Sequence, residues 1–150
     1  MAWIRRRYQL LYVYAVVRPT TGQSWWCLLP TVRTDVMNAA LAAFAHDEGL
    51  DPQHRAVLVV DGAGWHASPE LVLPDGIDLV FVPPASPELQ PVERVWRLLD
   101  EPVANRTFAD LDALENVLVT QCQTLRADLH RITAHTRFHW WARERRPVHQ

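Results

Sequence analysis

Two carboxylates stand where a strand and a helix could present them to one ligand. Asp61 ends the apolar run Ala56–Val60, "AVLVV", and in open α/β sheets ligands gather outside the carboxyl ends of strands. Glu93 follows 32 residues later in "SPELQPVERVW", near the start of a helix that Pro91 opens at its first position. Carboxylates without cysteine or clustered histidine form a hard-oxygen site suited to Mg²⁺ or Mn²⁺. Such a site can hold two ions about 4 Å apart, one serving the attacking and one the leaving oxygen of a phosphodiester. His66 lies five residues after Asp61 in "DGAGWH". Each residue also has an ordinary explanation. Asp is a common loop or helix cap, a first-turn Glu is favoured by the helix dipole, and a lone His is more often packed or on the surface than a ligand or base.

Residues that could touch nucleic acid surround this pair. Trp65 adjoins the carboxylates and could cover the site or stack on a base. Arg94 and Arg97 flank Glu93 and could reach phosphates, with solvated surface as the competing reading. Arg5, Arg6 and Arg7 form the tightest basic cluster, although a basic triplet is commonly a solvated end. Trp25, Trp26, Trp140 and Trp141 could stack as well, but tryptophans are more often core, and Trp96 on its helix face is read as packing.

The elements that must position these groups are legible. Tyr8–Val17 and Trp25–Leu29, separated by "RPTTGQ", read as a hairpin. Thr34 is placed to cap a helix with an apolar stripe of Met37, Leu41 and Phe44, which Gly49 stops. Ala56–Val60 and Ile77–Val82 read as strands, the first buried on both faces. The segment "PPASPELQP" then forbids regular structure up to Pro91. Thr107 and Asp110 look like a capping pair for a long amphipathic helix marked by Leu111, Leu114, Leu118, Cys122 and Leu125, and Leu129–Trp141 is helical in pattern. Interleaved strands and helices followed by helices alone indicate a two- or three-layer α/β domain.

Composition bounds the class. The chain has 150 residues, 49% hydrophobic and 21% charged, the profile of one ordinary globular domain. All fifteen basic residues are Arg. Four Arg and no acid lie in residues 1–18, and six Arg face only Asp128 and Glu144 in residues 126–150, so the acidic excess sits in the middle and both ends point to a polyanion. Cys27 and Cys122 are too few and too far apart for a metal motif and read as reduced, packed thiols in a cytoplasmic protein. "MAWIRRRYQLLYVYAVV" imitates an export signal, but its apolar run is short and no small-residue cleavage site follows. No apolar stretch approaches the roughly 20 residues of a membrane helix.

The combined stretch "VLVVDGAGWHAS…IDLVFVPPASPELQPVERVWRLL…ANRTF" resembles the DDE-superfamily transposases of bacterial insertion sequences related to the mariner group. Asp61, His66, Pro83, Pro84, Ser86, Pro87, Leu89, Pro91, Glu93 and Trp96 fall on that family's pattern. The resemblance implies an RNase H-like α/β core (DDE integrase/transposase type) and metal-dependent cutting and joining of DNA with Mg²⁺ or Mn²⁺. Asp61 and Glu93 would be catalytic metal ligands and His66 a helper beside them. It implies DNA as partner, association with a second copy or with a missing N-terminal part, and a nucleoid-associated location without membrane contact.

This chain departs from the family at three places. Gln90 stands where the family usually has Asn, the Asp-to-Glu interval is a few residues short, and no residue matches the first catalytic Asp, since Asp35 lies in a helix turn and Asp78 within a strand. The chain is therefore expected to be a single partial RNase H-like endonuclease domain over residues 1–150, truncated before the strand bearing that Asp, with a helical extension from about residue 103. It would be inactive in isolation, or a dead DNA-binding or oligomerising remnant that modulates a full-length transposase. The absent strand would lie between the Tyr8–Val17 and Ala56–Val60 strands, so these two are expected either to close up and pair or to associate between molecules.

Overall fold

A computed structural model describes residues 10–62, 64 and 66–139. Strands β1 (Tyr12–Val17) and β2 (Ser24–Leu29) form an antiparallel hairpin with Tyr12 opposite Leu29 and Val17 opposite Ser24. The turn is closed by Arg18 N–H donating to the Gln23 carbonyl at 2.8 Å, and Gly22 takes φ +79 there. Helix α1 (Thr34–Asp47) follows, then β3 (Ala56–Val60) and β4 (Ile77–Phe81), which pair in parallel with Ala56 opposite Ile77. The Pro-rich segment forms two 3-10 turns, Pro87–Leu89 and Pro91–Arg94, and leads into α2 (Trp96–Asp100), α3 (Leu111–Ala127) and α4 (Leu129–Thr136).

Alternation along β1 and β2 sends side chains into two cores, as the pleat requires. Val16, Trp25, Cys27 and Leu29 pack with Leu41 and Phe44 of α1. Leu11, Val13, Val17, Trp26 and Leu28 pack on the other face against α2, α3 and α4, whose Leu125 and Ile132 are fully buried together with Val95. The α1 core also takes Leu58 of β3 and Ile77 and Leu79 of β4. One helix thus lies against both two-stranded sheets.

Several expectations are corrected. Strand β3 is not buried on both faces: Val57 is 60% and Val59 39% exposed, because among the described residues no helix covers that side. Thr34 is the first helical residue and Arg33 the N-cap, without a side-chain cap; instead the Arg33 guanidinium pairs with Asp35. Asp110 caps α3 alone by accepting from Ala113 N–H at 2.8 Å, leaving Thr107 out of the cap. Of the two outcomes expected for β1 and β3, direct pairing is not found: the hairpin and the parallel pair are separate sheets, with a cavity of about 750 Å³ lined by both.

Candidate functional site

The β3–β4 ladder runs to the end of β3, where Val82 N–H donates to the Val60 carbonyl at 2.9 Å, so Asp61 is the first residue released from the sheet. Its carboxylate is about half exposed and its Oδ1 lies 2.8 Å from His66 Nδ1. The His66 side chain is only 10% exposed, and burial holds its pKa below the usual histidine range against the opposing pull of Asp61. At neutral pH the ring is therefore uncharged, and it holds the carboxylate favourably only as the Nδ1–H tautomer.

Glu93 arrives by a different route. After β4 the prolines exclude a strand or helix, and Ala85 takes φ +56 at the bend, a left-handed conformation that costs an alanine about 1–2 kcal/mol. The two 3-10 turns are then closed by Leu89 N–H to Ser86 O, Gln90 N–H to Pro87 O and Glu93 N–H to Gln90 O, each at 3.0–3.1 Å. Buried Pro91 and fully buried Val95 fix the segment, leaving Glu93 exposed between them. The predicted helix at Pro91 is a 3-10 turn, and the α-helix begins only at Trp96.

Asp61, His66 and Glu93 all line the cavity between β1 and β3. Gln90 lines it too and is 8% exposed; sequence reasoning had treated it only as a variant of a family Asn, and a polar residue between Leu89 and Pro91 in a Pro-rich turn was the available signal. As donors, Asp61 and Glu93 offer the oxygens that a hard divalent cation takes. Among the described residues no group of three or more His, Cys, Asp or Glu is gathered to hold a metal, so the donor set fits such an ion but is incomplete.

The remaining candidates separate. Arg94 places its guanidinium 4.1 Å from the Phe138 ring centroid, a cation–π contact that ties the Glu93 turn to the end of the helical layer. Arg97 is exposed. Trp25 is buried and donates from Nε1 to Asp47 Oδ2 at 2.8 Å, and Trp26 meets Trp96 edge-on at 6.4 Å, so these three rings belong to the packing. Asp35 and Asp78 are engaged by Arg33 and Arg55. Trp65, Arg5, Arg6, Arg7, Trp140 and Trp141 lie outside the described residues.

The chain belongs to the DDE superfamily endonucleases, whose family model matches residues 5–115. It is 41% identical over 112 residues to the uncharacterized protein y4pE/y4sA of Sinorhizobium fredii (strain NBRC 101917 / NGR234), covering 74% of this chain and 78% of that protein. No solved structure matches. Endonucleases of this family typically work with divalent metals, and its transposases act on DNA. Among the described residues no helix is long and apolar enough to cross a membrane.

Proposed function

We propose that this chain carries two of the metal-binding carboxylates of an RNase H-like transposase core of the mariner-related insertion-sequence group. The observation that carries the reading is that Asp61 and Glu93, delivered by a strand end and by a Pro-rich turn, line one cavity. Asp61 and Glu93 would hold Mg²⁺ or Mn²⁺, which in a two-ion arrangement activates the attacking oxygen and stabilises the leaving oxygen of a phosphodiester. His66 is a positioning residue: its buried, neutral ring orients the Asp61 carboxylate without competing for positive charge. Pro91 and Val95 keep Glu93 from drifting, and Arg97 and the exposed edge of Arg94 are available to DNA phosphates. Among the described residues no third carboxylate joins Asp61 and Glu93, so the chain by itself is expected not to cleave.

Mn²⁺ titration followed by electron paramagnetic resonance tests the site: binding is weak, and Asp61→Asn or Glu93→Gln lowers affinity by about tenfold or more. Unchanged affinity in the double variant would sink the assignment. Supercoiled plasmid incubated with the chain and Mg²⁺ or Mn²⁺ stays intact; nicking abolished by Asp61→Asn would show that this chain completes the carboxylate set by itself.

A further inference from the structure

Ion pairing divides the arginines of the molecule. Arg33 is held by Asp35 and Arg55 by Asp78, whereas among the described residues neither Arg94 nor Arg97 has a carboxylate within ion-pair distance. Both are exposed and stand three residues apart on one edge of the helical stretch that starts at Pro91, and Glu101 follows on that edge one turn later. Helix α4 runs along the same edge in the opposite direction. Its first turn meets the far end, where Arg131 Nη2 donates to Glu101 Oε2, and the residues after its last turn meet the near end, where the Phe138 ring covers the Arg94 guanidinium at 4.1 Å. Val95, Leu98 and Ile132 share the core beneath. The seam thus begins one residue after Glu93 and sets Arg94, Arg97 and Arg131 in a row against the single carboxylate of Glu101.

We propose that this seam is a rail for the phosphate backbone of duplex DNA, running outward from the bond that Asp61 and Glu93 address. The choice of DNA rests on the endonuclease reading above, but the α4 side of the rail, Arg131 and Phe138, lies outside residues 5–115 on which the family match stands. Phe138 fixes the plane of the Arg94 guanidinium and leaves its N–H edge to solvent, the presentation that suits a bidentate phosphate contact. Arg131 gives one nitrogen to Glu101 and keeps the rest of its donor fork, so the carboxylate aims the cation without using it up. Arg94 and Glu101 are seven positions apart, about 10 Å of helix, the length of about three phosphates of one strand. A small anion would need cations converging on one point; cations strung along an edge fit a polymer of repeating charge.

The test is fluorescence anisotropy of the full chain with a labelled duplex of about twenty base pairs, in EDTA so that the outcome does not depend on the metal reading. Arg97→Ala and Arg131→Ala are each expected to weaken binding and to reduce the slope of log K against log salt by about 0.9, the loss of one phosphate contact. Arg97→Lys keeps the charge and therefore the slope, and Glu101→Gln frees Arg131 and tightens binding. Arg97 is exposed, so its variants report binding and not folding. Arg33→Ala and Arg55→Ala, whose guanidiniums are already tied to acids, leave the slope as it was. An unchanged slope in the Arg97→Ala, Arg131→Ala double variant overturns the proposal. So does an equal fall in the two controls, which would mean attraction spread over the whole surface, and so does a fall seen with heparin but not with the duplex, which would give the seam to another polyanion. Asp61→Asn and Glu93→Gln are expected to keep the DNA slope while losing Mn²⁺, so failure at the metal site and failure at the rail are read separately.

Discussion

The hairpin sheet and the parallel sheet are each two strands wide, yet they are supported differently. β1–β2 has α1 on one face and α2, α3 and α4 on the other, with Val95, Leu125 and Ile132 fully buried beneath it. Among the described residues β3–β4 has α1 alone, and Val57, Val59 and Val80 on its other face are 60%, 39% and 50% exposed. A two-stranded sheet is marginal without packing, so the β3–β4 unit depends on α1 for its place. The carboxylates of the candidate site straddle this difference: Asp61 ends the lightly supported sheet, and Glu93 is anchored in the helical layer of the other. Their mutual geometry therefore depends on α1, which packs against both sheets.

The sharpest way to break the comparison is at the helix that serves both sheets. Phe44 meets Trp25 edge-on at 5.5 Å in the core shared with Ile77. Phe44→Ala is expected to cost about 3–5 kcal/mol, read from urea unfolding, and to lower hydrogen-exchange protection in both sheets. Loss confined to one sheet would mean that α1 does not couple them.

Two glycines distinguish the halves. A Cβ on Gly22 would strike the Leu129 carbonyl and come within 2.5 Å of Thr133 Oγ1 in α4, and one on Gly76 (φ +87) would lie 2.7 Å from both Asp51 N and O. Overpacking at either site is expected to cost about 1–3 kcal/mol, but with different reach. Gly22→Ala pulls the hairpin from α4 and lowers the global transition, whereas Gly76→Ala opens β3–β4 while the helical layer keeps its exchange protection. Equal loss everywhere in both variants would erase the distinction.

A smaller effect comes from His66. Its folded pKa lies below the unfolded value because burial disfavours the charged ring, so the unfolded chain binds more protons as the solution is acidified. The stability associated with the neutral ring is complete above the unfolded histidine pKa, about 6.5, and is lost as pH falls from there toward the folded value. Urea midpoints measured across that window should decline in the parent chain and flatten in His66→Gln; an identical slope in both would remove His66 from the balance. Smallest of all is Val57→Thr on the open face of β3, expected to change stability by no more than about 0.5 kcal/mol, since no described helix covers that side chain. A loss well above this would show that the face is covered.

What the sequence determined by itself is the local grammar and the chemistry it carries. The β-branched runs made β3 and β4, the Gly49 stop ended α1 at φ +62, the leucine spacing made α3, and the motif around "DGAGWH" and "SPELQPVERVW" named Asp61, His66 and Glu93, which the fold then brought to one cavity. These follow from period, side-chain shape and backbone restriction, which act over a few residues. Tertiary structure decided the rest. Periodicity cannot say whether an apolar run has one covered face or two, so β3 was read as fully buried. Thr107 satisfied a capping pattern that Asp110 met alone, and Arg94 met the Phe138 ring because α4 returns the chain to the turn after Pro91. Above all, the described strands form two separate sheets that share α1; strand pairing is a long-range competition between backbone edges, and no local pattern in the chain records its outcome.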